Sequence, residues 1–410
     1  MTRKPDVFKF DSYKIHSDKK TIDFNYKTGD LCFTEKIILP DGIPANVEDK
    51  LVNLPNRKVN KVLESLHLIL GITYFKMYCP KKIVISYYLS KAQADFWNTV
   101  YTKGLGEFFY KNKIDFKNLI DFPYYDSDEP PIQPRRLDEA KKNRYLVGIG
   151  GGKDSIVAIE LLKKEGKHVT GLILETGRSH IQREVAKTAG IEFLLVKREL
   201  DNKLFELENI YHGHVPFSAI FAFIALLVSV IYDYSSIITA NEKSSNFGNL
   251  NYLGTEINHQ WSKSEEFENL FKDYVRKFII PDVDFFSILR PYSEMAIAKI
   301  FSSHKKYFPV FSSCNRNFKI KGNVNQKRWC GECAKCAFVF IILAANLSRD
   351  EVVRIFDKNL LDDPLLIPLY QDLIGKGSMK PFDCVGTFEE SRQALEIIKN
   401  KKEFNVSKII

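Results

Sequence analysis

The sequence of 410 residues predicts an α/β fold, a doubly wound parallel sheet with helices on both faces. Two observations indicate this fold. Strand-like and helical segments alternate between residues 141 and 345, and a glycine-rich turn leads from the first strand of that region into a helix. Strand-like segments with alternating apolar residues also precede residue 130. We therefore expect an N-terminal α+β domain (1–130), the sheet domain (141–345) and a small helical C-terminal region (346–410).

The elements of the N-terminal domain follow from apolar patterns of period two for strands and near 3.6 for helices. Strands are predicted over residues 21–26 and 31–39, and helices over 61–74 and 91–111. Residues 127–136 combine three prolines with charged residues, a composition typical of a linker.

The sheet domain contains apolar strands separated by helices. Strands are predicted over 144–149, 169–174, 192–196, 236–240 and 285–289, and helices over 155–164, 181–189 and 216–232. The run 215–231 is almost wholly apolar, but it is short for a membrane span and contains Pro216, which favours a buried helix. Ligands of parallel sheets bind at the C-terminal strand ends, so the loops after these ends should share one crevice.

Composition sets broad limits on function. With 45% hydrophobic and 27% charged residues the chain is typical of a globular protein, and its net charge of +9 favours an anionic partner. The lysines are spread along the chain, so we expect neither a stable nucleic-acid partner nor a membrane. No apolar segment follows the first residues, which predicts a cytoplasmic location. Seven cysteines, an odd number, then favour reduced thiols.

A phosphate-binding loop is predicted between the first strand and helix of the sheet domain. It comprises Gly150, Gly151, Gly152, Lys153, Asp154 and Ser155. Glycines let backbone amides approach an anion, and the helix N-terminus adds its dipole. Lys153 offers a point charge, Ser155 a hydroxyl, and Asp154 a carboxylate for Mg²⁺. Walker and dinucleotide-binding loops are excluded by the glycine spacing. The alternative is a tight connection without function.

Four cysteines have the spacing of a metal site: Cys314, Cys330, Cys333 and Cys336. Four soft ligands suit a structural zinc site. A [4Fe–4S] cluster and unliganded thiols are the alternatives.

Further polar residues follow the predicted strand ends. Asn241, Glu242, Lys243 and Asn246 lie in one loop, followed by His259, Lys263 and Arg290, and Cys384 lies in a turn near the C-terminus. Solvated loops are the alternative for the first group. Arg290 could clamp a carboxylate or form a structural ion pair. Cys384 could be a buried structural thiol.

The glycine loop resembles the Ser-Gly-Gly-x-Asp-Ser loop of the ATP pyrophosphatases, with Gly150 in place of the leading serine. Longer stretches resemble the UDP-N-acetylmuramoyl-L-alanyl-L-glutamate epimerase family. They are Asn-Glu-Lys-Ser-Ser-Asn246, Glu-Ile-Asn-His-Gln-Trp-Ser-Lys263, Trp-Cys-Gly-Glu-Cys333, Lys-Pro-Phe-Asp-Cys-Val-Gly386 and Lys-Gly-Leu-Gly-Glu-Phe-Phe-Tyr110.

The resemblance implies a sheet of the ATP pyrophosphatase type. It also implies conversion of the terminal L-glutamate of a UDP-linked muramoyl dipeptide to D-glutamate, in a reaction that uses ATP and Mg²⁺ and releases AMP and pyrophosphate. On this hypothesis, residues 150–155 hold the phosphates and Asp154 the Mg²⁺. The loop 241–246, with Arg290, binds the acyl-adenylate, and His259, Lys263 or Cys384 transfers the proton. A tRNA- or nucleobase-modifying ATP pyrophosphatase, or an inactive nucleotide-binding protein stabilised by Zn²⁺, are the alternatives.

Overall fold

The computed structural model describes residues 5–18, 20–40, 57–125, 143–177, 179–318, 327–377, 379–406 and 409. The predicted linker 127–136 lies outside these residues. The strands are β1 (Val7–Ile15), β2 (Thr21–Thr28), β3 (Leu31–Ile38), β4 (Lys82–Val84), β5 (Arg144–Gly148), β6 (His168–Glu175), β7 (Phe193–Glu199), β8 (Ser236–Thr239), β9 (Leu250–Tyr252), β10 (Thr255–Ile257) and β11 (Asp284–Ser287).

The helices lie before, between and after these strands. They are α1 (Arg57–Phe75), α2 (Lys91–Gly104), α3 (Gly106–Lys111), α4 (Lys153–Lys164), α5 (His180–Ala189), α6 (Lys203–Glu206), α7 (Phe217–Tyr232), α8 (Glu265–Phe278), α9 (Glu294–Ser302), α10 (Ala334–Ala344), α11 (Arg349–Phe356), α12 (Ile367–Leu373) and α13 (Phe388–Lys401). The predicted helix over 91–111 is divided at Leu105 into α2 and α3.

Within the described residues, one sheet of nine strands has the order β11-β8-β5-β6-β7-β3-β2-β1-β4. The five strands from β11 to β7 are parallel, and their apolar residues fill two cores. Leu146 and Ile237 belong to one core, and their neighbours Val147 and Ile238 to the other. Burial on both faces explains why these strands are continuously apolar. The predicted α/β fold is confirmed at this level.

Helices cover both faces of the sheet. α1 and α7 contribute to the first core, and α4, α9 and α10 to the second. The apolar run predicted as a buried helix is α7, in which most side chains are buried. Among the described residues no helix combines the length and apolar character needed to cross a membrane. α13 packs on α10, so the C-terminal helices extend the second core.

The N-terminal strands extend the same sheet. β3 pairs antiparallel with β7, and β2 and β1 follow in antiparallel order. A buried ion pair joins this seam, because Arg198 Nε donates to Glu35 Oε1 at 2.7 Å and Arg198 Nη2 donates to Thr73 Oγ1 at 2.9 Å. The sheet is therefore mixed rather than wholly parallel. The edge of β7 that the parallel strands leave open pairs with β3 of the N-terminal region. Strand patterns alone do not specify this pairing.

Candidate active site

The glycine loop joins the C-terminal end of β5 to α4. Gly151 has a φ of +88°, in the left-handed region, and a Cβ there would lie 2.8 Å from Cγ2 of Ile181. The Gly151 carbonyl accepts a 2.9 Å hydrogen bond from the Ser312 amide. Gly152 is the N-cap of α4 and has no side chain, so no side-chain cap hydrogen bond is made at this end of the helix. The first-turn amides of α4 are therefore suited to an anion, as the sequence predicts.

Lys153 lies beneath this loop rather than at its surface. Its side chain is 1% exposed, and its ammonium contacts the carboxylates of Asp154 and Glu294. Burial alone would lower the pKa of Lys153, but the two carboxylates outweigh burial and raise it. Burial raises the pKa of Glu294 to about 7 despite the Lys153 charge. The Asp154 side chain keeps 21% exposure and is the carboxylate of this group that faces the crevice.

The loop after β8 contains four of the predicted substrate-binding residues. Glu242 is buried, Asn241 is half-buried and Lys243 is exposed. Asn246 Oδ1 accepts a 2.7 Å hydrogen bond from the Glu265 amide at the start of α8. The Asn246 side chain therefore fixes the local structure, whereas Glu242 adds a buried carboxyl group to the crevice.

Arg290 is engaged by the protein itself. Nη1 donates to the Glu242 carbonyl at 3.1 Å and to Ser245 Oγ at 2.9 Å. Nη2 donates to the Lys263 carbonyl at 2.7 Å and to Glu268 Oε2 at 2.9 Å. These contacts favour the structural alternative for Arg290, which ties together the segments that carry Glu242 and Lys263.

Cys384 is surrounded by cationic side chains. Lys263 Nζ donates to Cys384 Sγ at 3.2 Å, and Lys335 Nζ donates to the Cys384 carbonyl. Burial alone would raise the pKa of this thiol. Lys263, His259 and Lys335 instead lower it to about 6. Cys384 is only half-buried, so the sulfur is open to a ligand, and the lowered pKa favours its thiolate form.

His259 is held by a carboxylate from the N-terminal region. Its Nδ1 hydrogen-bonds Glu107 Oε2, and its amide donates to Asn249 Oδ1 at 2.9 Å. Burial alone would lower the pKa of His259. Hydrogen bonds with Cys384 and Glu107 raise it to about 9. The neighbouring His214 has its ring centroid 4.7 Å from that of His259, and burial followed by the charge of His259 lowers its pKa to about 3.

Glu107, His259, Lys263 and Cys384 form one group of interacting side chains, the thiol cluster. The glycine loop and the thiol cluster belong to one crevice. The charges of Lys335 and Lys263, after that of Lys153, lower the pKa of Asp154 against the effect of burial. Lys263 and Lys335 also lower the pKa of Cys384. The same two ammonium groups therefore act on the carboxylate of the glycine loop and on the thiol.

A cavity of about 570 Å³ adjoins the thiol cluster. Asn249, in its wall, accepts from the His259 amide and donates to the Pro381 carbonyl at 3.0 Å. Burial lowers the pKa of Lys380, against the charges of Glu242 and other acids. The volume of the cavity suits a drug-sized ligand. The lining residues are Tyr110, Asn249, Leu250, Gly375, Gly377, Met379, Lys380 and Phe388.

The four predicted metal ligands come together. The sulfurs of Cys314, Cys330, Cys333 and Cys336 all lie within 4.8 Å of one another. Cys333 and Cys336 Sγ atoms are 3.5 Å apart, too far for a disulfide. The Cys330 amide donates to Cys314 Sγ at 3.4 Å, a contact that stabilises a thiolate. Four converging sulfurs fit a tetrahedral Zn²⁺.

This cysteine cluster is connected to both parts of the crevice. Cys314 lies two residues after Ser312, whose amide donates a hydrogen bond to the Gly151 carbonyl. Lys335, between Cys333 and Cys336 in the chain, contacts the Cys384 carbonyl. A metal held by the cluster would therefore position the glycine loop and the thiol.

Sequence reasoning missed Glu107, His214 and Lys335 as parts of the crevice. An acid within the apolar stretch Gly-Glu-Phe-Phe and a lysine between two metal-ligand cysteines were signals for the first and last. His214 gives no comparable signal.

Comparisons with known proteins identify relatives of the whole chain. The MurL N-terminal domain family matches residues 1–288, and the MurL C-terminal domain family matches 310–410. The UDP-N-acetyl-alpha-D-muramoyl-L-alanyl-L-glutamate epimerase of Xanthomonas oryzae pv. oryzae is 38% identical over 86% of this chain and 77% of its own. The enzyme of the same name from Micromonospora sp. is 34% identical over 100% of this chain and 90% of its own. That from Salinispora tropica is 34% identical over 97% and 85%.

A solved structure, described as a predicted subunit of tRNA methyltransferase from Methanocaldococcus jannaschii, is similar over 39% of this chain and 75% of its own. The identity is 17% and the TM-score 0.25. A TM-score of this size supports no conclusion on fold or function.

Proposed function

The chain belongs to the family of UDP-N-acetyl-alpha-D-muramoyl-L-alanyl-L-glutamate epimerases, and on that basis we propose that it inverts the terminal glutamate of this precursor through an acyl-adenylate. ATP is the second substrate, and AMP and pyrophosphate are the products. The parallel strands with the glycine loop form a sheet of the ATP pyrophosphatase type, wound on both faces. The proposed division of the chain is into the regions 1–130, 141–345 and 346–410, of which the first two share the nine-stranded sheet.

Inversion requires removal of the α proton of glutamate. A free carboxylate hinders this step, because deprotonation at Cα places a second negative charge beside the first. Adenylation neutralises the carboxylate and makes its carbonyl a better electron sink. A base can then take the proton, and return of a proton to the other face gives the D-centre. Hydrolysis of the activated carboxyl completes the reaction.

One arrangement carries this assignment: the segments of the cysteine cluster hold the Gly151 carbonyl of the glycine loop through the Ser312 amide, and the Cys384 carbonyl through Lys335 Nζ. A phosphate held by the loop therefore lies near groups able to transfer protons. Gly150 to Gly152 and the first turn of α4 bind the phosphates, with Lys153 beneath them and Ser155 at the helix start. Glu242 and Asn241 line the acyl-adenylate site, with Lys243 at its rim.

Two metals fit the residues present. Asp154 would hold Mg²⁺, and Glu294 Oε1, which is buried with no hydrogen-bond partner among the described residues, adds an oxygen nearby. Bound Mg²⁺ would neutralise phosphate charge. The four cysteines would hold structural Zn²⁺.

The decisive experiment combines protein, Mg-ATP and UDP-N-acetylmuramoyl-L-alanyl-L-glutamate, and measures pyrophosphate, AMP and glutamate chirality. We expect substrate-dependent AMP together with D-glutamate. Asp154→Asn should reduce pyrophosphate release by ~10³-fold or more, whereas Asp121→Asn, at an exposed aspartate away from the crevice, should not. ATP binding without AMP would instead indicate a nucleotide-binding protein, and inversion without ATP consumption would overturn the adenylate.

A further inference from the structure

We propose that Cys384 is a nucleophile that takes the glutamyl group from the adenylate and holds it as a thioester while Cα is inverted. The proposal rests on the proposed function and adds a covalent intermediate to it. The donor of the glutamyl group is an acyl-adenylate whose phosphate occupies the glycine loop.

The surroundings of Cys384 are those of an acyl-transfer nucleophile. The sulfur receives a 3.2 Å hydrogen bond from Lys263 Nζ and interacts with the side chain of His259, whose Nδ1 is held by Glu107. Cysteine, histidine and an orienting carboxylate form the arrangement that makes and hydrolyses thioesters in other enzymes. The fold assembles it from α3, the loop after β10 and the turn before α13.

Geometry argues against Cys384 and Lys263 as the two opposed bases of an inversion. Two such groups must stand on opposite faces of one carbon, with that carbon between them. Sγ and Lys263 Nζ are instead 3.2 Å apart and in direct contact, so both lie on one side of any substrate carbon. Acylation makes use of this arrangement, because Cα is then two bonds from Sγ. The groups that surround the sulfur become the groups nearest the α proton.

Acylation also prepares His259 to accept that proton. The thiolate is the largest influence that raises the pKa of His259 to about 9, against burial, and Glu107 is the next. His214 and Asp383 are the other titratable groups that interact with it. Conversion of the thiolate to a neutral thioester removes the first influence, so the His259 pKa falls. The imidazolium then releases its proton to solvent and becomes a base beside Cα.

The steps balance. The Cys384 thiolate attacks the acyl carbon, the S–C bond forms, and the C–O bond to AMP breaks with its electron pair, so AMP leaves as the anion. Neutral His259 takes the α proton, and the electron pair moves into the thioester carbonyl. A proton from water returns to the other face of Cα, the carbonyl reforms, and His259 releases the α proton to solvent. Water then attacks the thioester with neutral His259 as the base, and the S–C bond breaks, which releases D-glutamyl product and restores the thiolate and the imidazolium.

The test is acid quench of the protein during turnover with Mg-ATP and UDP-N-acetylmuramoyl-L-alanyl-L-glutamate, followed by peptide mass analysis. We expect a peptide containing Cys384 that carries the substrate minus one water, and complete removal of this mass by neutral hydroxylamine. Cys384→Ala should lose the adduct and reduce α-proton exchange and inversion by ~10³-fold or more. The control is Cys32→Ser, at an exposed cysteine in β3, which should keep both.

Pyrophosphate exchange separates the two proposals. Cys384→Ala should retain substrate-dependent exchange of pyrophosphate into ATP within a few-fold of the unmodified protein, because adenylation precedes the thiol step; this also shows that the variant is folded. If Cys384→Ala still inverts glutamate, or if quenched active enzyme carries no hydroxylamine-sensitive adduct, the thioester is wrong and the adenylate stands. If the unmodified protein shows no exchange, the proposed function itself fails.

Discussion

The glycine loop and the thiol cluster are two halves of one crevice built in opposite ways. Residues 150–155 are contiguous, and their role follows from a strand, three glycines and a helix in sequence order. Glu107, His259 and Cys384 are separated by more than a hundred residues at each step and meet only because the N-terminal region joins the sheet. A local motif shows its chemistry in the sequence, whereas an assembled cluster shows it only in the fold.

Loss of the zinc that we propose for the four-cysteine cluster should abolish the activity of both halves. This is the largest effect we expect. The cysteine cluster supports the glycine loop through Ser312 and contacts the Cys384 carbonyl through Lys335. We expect one Zn²⁺ per chain by elemental analysis. Cys336→Ser should lower both the metal content and the melting temperature, because structural zinc contributes directly to folding.

The matched control for this prediction is Cys79→Ser, at a cysteine outside the cluster. Pyrophosphate exchange reports the loop half, and alkylation of Cys384 reports the thiol half. If Cys336→Ser lost zinc but kept both readouts, the proposed support would be wrong. Iron and acid-labile sulfide in the purified protein would favour a [4Fe–4S] cluster instead.

Glu107→Gln should impair only the thiol half. Glu107 is a positioning residue that orients His259 and helps to raise its pKa to about 9. Because His259 acts as a base in its neutral form, loss of the carboxylate should lower its pKa and move the lower limb of the pH profile for inversion to lower pH. We expect inversion to fall by ~10²-fold, with pyrophosphate exchange unchanged. Equal losses in both reactions and an unshifted pH profile would indicate a purely structural residue.

Lys263→Met tests the thiolate itself. Lys263 is the strongest of the groups that lower the Cys384 pKa to about 6. Without its charge the thiol pKa should rise towards the usual ~8.5, so that less thiolate is present at pH 7. Iodoacetamide labelling of Cys384 at pH 7 should slow by about tenfold, and its rate should titrate at higher pH. The control is Lys277→Met, at an exposed lysine near the end of α8, and an unchanged labelling profile in Lys263→Met would mean that the thiol is not activated by this contact.

The two halves also differ in what the sequence could predict. The strands and helices around the loop and the cysteine spacing were predictable, because each depends on neighbouring residues. The seam between β3 and β7 was not, because any strand of suitable pattern can pair with an open edge. The role of Arg290 was left undecided by the sequence, since only the fold brings Glu242, Ser245, Lys263 and Glu268 to its guanidinium. Glu107 could not be assigned before the fold placed α3 beside His259.

Gly150→Ser should have the smallest effect and tests the one departure of the loop from the ATP pyrophosphatase pattern. A Cβ at Gly150 would meet no described atom within 4 Å, so the free energy of unfolding should change by less than ~0.5 kcal/mol. The added hydroxyl would face the phosphate site, so the KM for ATP should fall or stay unchanged. Gly151→Ala is the contrast, because its φ of +88° and the 2.8 Å approach of Ile181 Cγ2 should cost ~1–3 kcal/mol. Denaturant unfolding of both variants measures the difference, and equal destabilisation would contradict the open space at Gly150.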